Sequence, residues 1–538
     1  MDKNMKRAAV WMPLLLAVVF GAGLLTGAMF FNRFTGSAVE SKINEILGEI
    51  KERYVDEVDT DSLLEASIPD ILAKLDPHTT YISSSDLQSV NEELEGSFCG
   101  IGISFNMLTD TITVLEVISG GPSEKVGLMA GDRIITINDS LVAGQKWSNE
   151  KVISELRGEK GTQVNLGVMR STSPKLLNYT VTRGDIPVTS IDAAYMLSDG
   201  TGYVKVNKFG RNTYSEFLNA MVELRNKGAN RFMIDLRGNG GGFMEPAILM
   251  ANDFLPAGCP IVETRGRTEM SETNAVSDGT GAFQNFPLVV VIDEFSASAS
   301  EIFAGAIQDN DRGVIVGRRS FGKGLVQQQI ELPDHSAIRL TTARYYTPSG
   351  RCIQKIYTPG SLKSYDMEIA DRYSNGEVFS ADSVHLDMSK KFFTLGGRAV
   401  YGGGGIMPDV FVANDTTGLS TYYLNVVNAG LMQKYAFHYT DKERSKLQQA
   451  KSVDELMKLL PSDDALLQDF VMYARDTEGI APRWYYINIS RDLIVSQLKA
   501  LIARDMLGSS AFYEVYNVSD PMIMRAEKEF GTVLQNNR

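Results

Sequence analysis

A chain of 538 residues exceeds one ordinary domain, and 43% apolar with 22% charged residues describes a globular protein able to bury sizeable cores. A formal charge of −13 argues against a nucleic-acid partner, because phosphate backbones attract basic surfaces. Three scattered cysteines, Cys99, Cys259 and Cys352, cannot form a disulfide framework, and the four histidines lack the HExxH pairing of a zinc hydrolase.

At the amino terminus Lys3, Lys6 and Arg7 precede an uncharged stretch from Ala8 to Phe31. As a helix this stretch would reach about 36 Å, against a hydrocarbon core of about 30 Å. It is longer than the apolar part of a signal peptide and no A-x-A cleavage site follows, so an uncleaved anchor is favoured over a cleaved signal. The basic flank belongs in the cytoplasm. Residues 1–36 are therefore read as a single pass through the cytoplasmic membrane, with the rest of the chain outside.

Residues 37–95 are read as helical. Ile43, Ile46, Leu47 and Ile50 share one helix face, and a second helix runs from about Leu63 to Leu75. Pro77 ends it within LDPHTTYIS, where His78 reads as a turn residue rather than a ligand. Residues 96–183 switch to short β-branched strands (GIGISF, TITVLEVI, DRIITIND, QVNLGVMR) with Gly-rich turns, a short helix after Ser119 and a longer one from Trp147 to Arg157.

Residues 184–415 alternate strand and helix: GYVKVNKF, a helix near 214–227, RFMIDLRGN, a helix near 245–254, PLVVVIDEF, a helix at Ala299–Gln308, and GVIVG. Apolar strands separated by amphipathic helices predict an α/β core, a parallel sheet covered on both faces. Arg267–Asn285 reads as a loop, and a strand-rich run through SAIRLTTARYYTPSGR is followed by an irregular insert up to GGGGIMPD. Residues 416–538 form a helical extension without an assignable motif.

Three segments carry chemistry. DEFSASASE follows an apolar strand and opens a helix. Ser298 and Glu301 fit a capping box there, so Ser298 reads either as a helix cap or as a nucleophile at the carboxyl end of a parallel sheet. The Ala299 N–H, at the helix start, suits an oxyanion. Twenty-five residues on, Lys323 sits between Gly322 and Gly324, with Phe321 and Leu325 beyond. Burial there would make its amine neutral and basic, and Gln327 could orient it; a solvated loop lysine is the alternative. Gly317–Lys323 imitates half of a P-loop, but Gly324 replaces the Ser or Thr that a nucleotide-bound metal needs. DLRGNGGG offers a glycine nest for an anion, with Gly241 as a donor beside Ala299.

Taken together, LDPHTTYIS, GIGISF, DLRGNGGG, SASASEIFAGAIQD, FGKGLVQ, RYYTPSGRCIQ and GIMPD resemble the C-terminal processing peptidases, or tail-specific proteases, of serine peptidase family S41. The resemblance runs from about Ser41 to Asp409. It implies Ser298 as nucleophile, Lys323 as base and Gln327 as its assistant, in a crotonase/ClpP-like catalytic core at 184–415. It also implies a PDZ domain inserted at 96–183, with Gly100, Ile101, Gly102 and Ile103 holding the carboxyl end of a substrate that adds as a β-strand. The expected partners are proteins or peptides with apolar C-terminal tails, and the membrane through the N-terminal helix. A dimer through the helical ends and an adaptor protein stay open, and no metal or organic cofactor is implied. About forty residues, Gln354–Gly402, intervene where many members are shorter. The competing class is a PDZ-bearing scaffold on a retired core, against which the intact Ser298, Lys323 and Gln327 speak.

Overall fold

The computed structural model describes residues 38–107, 110–118, 120–170, 173–197, 200–385 and 387–536, besides Phe20 and Gly23. The anchor reading of Ala8–Phe31 thus falls, apart from those two residues, outside the described part. Among the described residues no helix is long and apolar enough to cross a membrane. The chain divides into two compact units, 1–74 and 75–538. The first contains the helices Ala38–Arg53 and Thr60–Leu72; Asp59 caps the second by accepting the Asp61 N–H at 3.1 Å.

The second unit is built on a six-stranded sheet in the order Ile191–Met196, Thr201–Val206, Arg231–Asp235, Leu288–Ile292, Val314–Gly317, Val410–Phe411. Only the first pair is antiparallel. The strand Leu288–Ile292 is buried throughout, which is why it reads as an unbroken apolar run. Its alternate residues serve two cores. Leu288, Val290 and Ile292 pack with Phe217, Phe254 and Phe303 of the helices Thr213–Asn226, Met244–Asn252 and Ala299–Asp309 and their flanks. Val289 and Val291 pack with Met522, Ile523, Ala526 and Phe530 of the helix Pro521–Asn536.

The far end of the chain therefore covers the sheet's second face. The preceding helices, from Thr421 to Leu507, have a core of their own around Tyr435, Phe470, Leu498 and Ile502. The GIMPD motif supplies the last strand's approach: Asp409 accepts the Ile315 N–H at 2.8 Å and registers the sheet edge.

A second sheet centres on Ala337–Tyr346, which pairs antiparallel with Leu325–Glu331 on one side and with Thr80–Ile82 and Pro260–Gly266 on the other. The expected loop Arg267–Asn285 contains one more strand of this sheet, Thr273–Val276, paired with Pro260–Gly266. The strand was not legible because neither of its faces is buried, so it carries no alternation.

Residues 103–182 form a five-strand meander with the short strand Ser140–Leu141 added, closed over Val114, Ile134, Val164 and Val181 by the helix Asn149–Leu156. The antiparallel ribbon Ser97–Gly100 with Gly184–Pro187 puts its entry and exit side by side, as an insertion requires. All three cysteines are free and half-buried.

Candidate active site

The strand Leu288–Ile292 ends in a tight turn before the helix Ala299–Asp309, and Ser298 stands at the junction with φ +56° and ψ −112°. A non-glycine residue in such a conformation costs roughly 1–3 kcal/mol and persists only where its surroundings hold it. Here the holder is Glu301, fully buried in the helix's first turn. One carboxylate oxygen accepts the N–H groups of Ser298 and Lys323, both at 2.8 Å. The other accepts the Ser320 hydroxyl at 2.5 Å and the Gly322 N–H at 2.7 Å. Burial pushes this carboxyl above its ordinary 4.5, while the four donors pull against that rise. The cap reading of this serine–glutamate pair is thus half of what Glu301 does. The same carboxylate ties the serine turn to the lysine loop.

Tyr345 makes the second tie. Its buried hydroxyl bridges two carbonyls, Lys323 O at 2.6 Å and Ser298 O at 3.2 Å. Lys323 itself is half-buried, in an irregular loop followed by the strand Leu325–Glu331. No helix follows, so the P-loop reading has no structural support. Among the described residues Lys323 has no carboxylate within ion-pair distance. Its amine is held below the ordinary 10.5 by burial and by the Arg339 guanidinium, opposed by Glu301 and Asp76.

Gln327 lies on that strand and donates to Thr341 Oγ1 at 3.3 Å, and Thr341 donates in turn to Asp76 Oδ1 at 3.1 Å. Its carboxamide is oriented from the neighbouring strand, and it has no described bond to the lysine amine. Asp76 also accepts the N–H groups of His78 and Thr79, which makes LDPHTT the turn the sequence suggested. His78 Nε2 meets the Tyr365 hydroxyl at 2.8 Å. Burial, then the charges of Lys323 and Lys355, push this imidazole down to about 4 against Asp76, so it is neutral near pH 7.

The DLRGNGGG turn is fastened by side chains as well as by glycines. Asn239, fully buried, accepts the Ala297 N–H (3.0 Å) and the Ser300 hydroxyl (2.9 Å) on its carbonyl and donates to Val206 O at 3.0 Å. Its Oδ1 accepts the Gly241 N–H at 2.9 Å. That N–H was the expected oxyanion donor and is already engaged. Gly241 contributes clearance instead. At φ +101° a Cβ there would lie 2.7 Å from Ser298 Cβ and 2.8 Å from Ala297 O. Gly241→Ala should accordingly lower kcat at least about 100-fold and reduce the melting temperature. Unaltered turnover and melting would show that the two turns do not meet as closely as described.

Asp235 anchors the front of the same turn, beneath Tyr203 (2.7 Å) and Arg237 (2.7 Å), and Arg237 reaches Asp520 at 2.6 Å. Burial opposes its ionisation, but Arg237 and Lys205 hold its carboxyl below the usual range. Asp309 and Arg312 are engaged in contacts within the fold. Asp309 pairs with buried Arg351 at 2.8 Å, and Arg312 donates to the carbonyls of Phe254, Phe283 and Phe286.

In the inserted module, Gly100, Ile101, Gly102 and Ile103 line a groove of about 630 Å³ with Ile153 and Leu156 of the helix opposite. The strand Ile103–Asn106 is the sheet's edge, the side on which a further strand can add. Gly102 needs φ +77°, and a Cβ there would sit 2.9 Å from Ile186 Cδ1. A larger cavity of about 1220 Å³ lies between the strand ends at Asp235 and Asp293 and the C-terminal helices. Its walls include the ion pairs Arg237–Asp520 and Lys499–Asp463, and neither Ser298 nor Lys323 lines it.

Glu301, Tyr345 and Asn239 were missed by sequence reasoning as parts of this site. Only Glu301 left a local trace, its spacing from Ser298.

Comparison with known proteins identifies three segments. The family model of peptidase family S41 matches residues 200–360, that of a PDZ domain residues 99–181, and that of a family of unknown function residues 422–508. The carboxy-terminal-processing protease of Bartonella bacilliformis is 33% identical over 352 residues, covering 63% of this chain and 80% of that one. Carboxy-terminal processing protease CtpB of Bacillus subtilis is 30% identical over 353 residues, 65% of this chain and 72% of its own. A solved photosystem II D1 C-terminal processing protease aligns over 71% of this chain and 95% of its own, at 25% identity and a TM-score of 0.35. With a PDZ module inserted ahead of an S41 core, the chain belongs to the carboxy-terminal processing proteases, serine-type hydrolases of peptide bonds.

Proposed function

We propose that the chain is an extracytoplasmic, membrane-anchored endopeptidase in which Ser298 attacks and Lys323 is the general base, acting on proteins whose apolar C-terminal tails lie in the PDZ groove. The observation that carries the dyad is the double tie between the two segments. Glu301 bonds the N–H of both residues, and Tyr345 bonds the carbonyl of both.

Lys323 takes the Ser298 hydroxyl proton as Oγ bonds to the peptide carbonyl carbon. The oxyanion forms beside the Ala299 N–H, at the positive end of the helix dipole. The lysine ammonium then gives its proton to the departing amine. Water, deprotonated by the now neutral Lys323 amine, bonds to the acyl carbon; as the bond to Oγ breaks, Lys323 returns that proton to Ser298 and the acid is released. The groove's open edge strand favours a tail that adds as a strand and feeds the chain toward the core. The basic flank and uncharged run of residues 1–31 support the anchor and the outward location.

The test is degradation of an unstructured protein bearing an apolar C-terminal tail, by the full chain in detergent and by Ser298→Ala. The parent should degrade it and the variant should not, and amidation of the tail's carboxyl end should slow the parent. Equal degradation by both proteins would remove Ser298 from the mechanism. Indifference to amidation would remove the groove from substrate capture.

A further inference from the structure

The segment between RCIQ and GIMPD contains the helix Leu362–Ser374, and its chemistry is directed at the lysine loop. That loop, Arg319–Gly324, has no regular structure, yet its backbone is bonded at nearly every group. From the core side, Ile406 O and Ser296 O accept the N–H groups of Ser320 and Phe321, and Glu301 accepts those of Gly322 and Lys323. Tyr345 donates to the carbonyls of Lys323, through its hydroxyl, and of Gly324, through its N–H.

The remaining groups are taken from the other side. Arg372, buried to 2% exposure, donates Nη1 to Arg319 O at 3.1 Å and to Ser320 O at 2.8 Å, and Nη2 to Phe321 O at 3.0 Å. Lys355 N–H donates to Gly322 O at 2.9 Å, and Gln354 Oε1 accepts the Gly324 N–H at 2.8 Å. Glu368, one turn before Arg372, fixes the guanidinium through Nε at 2.7 Å and takes the Lys355 amine at 3.1 Å. That amine stands 3.8 Å from the Phe321 ring centre and 4.1 Å from that of Tyr365.

We infer that Arg372 is a positioning residue for the proteolytic reaction: on the inserted helix, it clamps three successive carbonyls ahead of Lys323 and so sets where the amine stands. This rests on the reading of Lys323 as base. A planar guanidinium can serve several acceptors at fixed angles, whereas a lysine ammonium cannot reproduce that fork. Because Glu301 and Tyr345 hold the loop from the core, losing Arg372 loosens it without removing its seat. The amine then gains water and drifts from Ser298, and a displacement of about 1 Å can cost about 100-fold in rate. The charged and titratable groups facing Lys323 are Glu301 from the serine helix, Arg339 from the long strand, and Asp76 and His78 from the turn. None of them belongs to the inserted helix.

The experiment compares the full chain in detergent with Arg372→Ala, Arg372→Lys and Lys323→Ala, using a peptide with an apolar C-terminal tail across pH 5–10. For Arg372→Ala we expect kcat about 100-fold lower near pH 7, KM within about twofold, and the acidic limb of the kcat profile displaced to higher pH. Arg372→Lys should fall between and keep the displaced limb. It also carries the test if the alanine variant does not fold. A limb unmoved in the folded variants, or unchanged kcat, overturns the inference and leaves Arg372 as a stabilising residue. Near-normal turnover of Lys323→Ala would instead overturn the base assignment on which it rests.

Discussion

Lys323→Met is expected to lower kcat by about 10³-fold or more while leaving the protein at least as stable at pH 7. The two effects share one cause. Lys323 is half-buried, no carboxylate among the described residues lies in ion-pair range of its amine, and burial and Arg339 hold its pKa below the ordinary 10.5. Between the folded and unfolded pKa values the unfolded chain binds the extra proton. Stability therefore rises with pH across that window, and at lower pH a charge must be kept out of water. Methionine removes that cost and keeps the volume. Catalysis has the same sign, because only the neutral amine can take the Ser298 proton. Activity of the parent should rise with pH through a pKa below the lysine range. Measuring kcat/KM across pH 5–10 beside denaturant unfolding of parent and variant checks both halves. A methionine variant that keeps its rate, or a parent whose activity is flat with pH, would exclude lysine as the base.

Glu301→Gln should be the most damaging substitution that removes no proposed reacting group. The carboxylate accepts four donors, two on each oxygen. An amide keeps one acceptor and turns an NH2 toward donors that are already N–H or O–H groups. Two buried donors are left without partners, at roughly 1–3 kcal/mol each. The strained Ser298 conformation and the path of the Lys323 loop lose their common anchor together. We expect stability to fall by about 2–5 kcal/mol and kcat by about 10²-fold or more, with tail-peptide binding to the PDZ groove unchanged. Guanidinium unfolding, kcat, and peptide binding measured by fluorescence anisotropy separate these. A loss of groove affinity equal to the loss of kcat would mean general unfolding rather than failure of the dyad.

The core strands were legible because both their faces are buried, which leaves continuous apolar runs such as PLVVVI. The helix at Ala299 was legible from its strand–turn–helix context, whereas the GIGI groove was implied only by the family resemblance. Thr273–Val276 escaped because an exposed edge strand has no pattern to read. The C-terminal helices were recognised as helices but not placed. An amphipathic helix announces that one face is covered and is silent on what covers it. Pro521–Asn536 packs on a sheet strand more than two hundred residues earlier, Leu288–Ile292.

The sequence by itself determined the buried strands and flanking helices of the parallel sheet, the serine and lysine segments, and the family, since these depend on local periodicity and on residue types at fixed short spacings; the exposed strand Thr273–Val276 and the helix Leu362–Ser374 were not among them. Only the tertiary structure decided which groups hold the Ser298 and Lys323 segments together. Glu301, Asn239, Tyr345 and Arg372 act on backbone N–H and C=O groups, which every residue carries, so their partners leave no mark in sequence. Such bonds are chosen by where the chain crosses itself, and a crossing is a property of the packed fold.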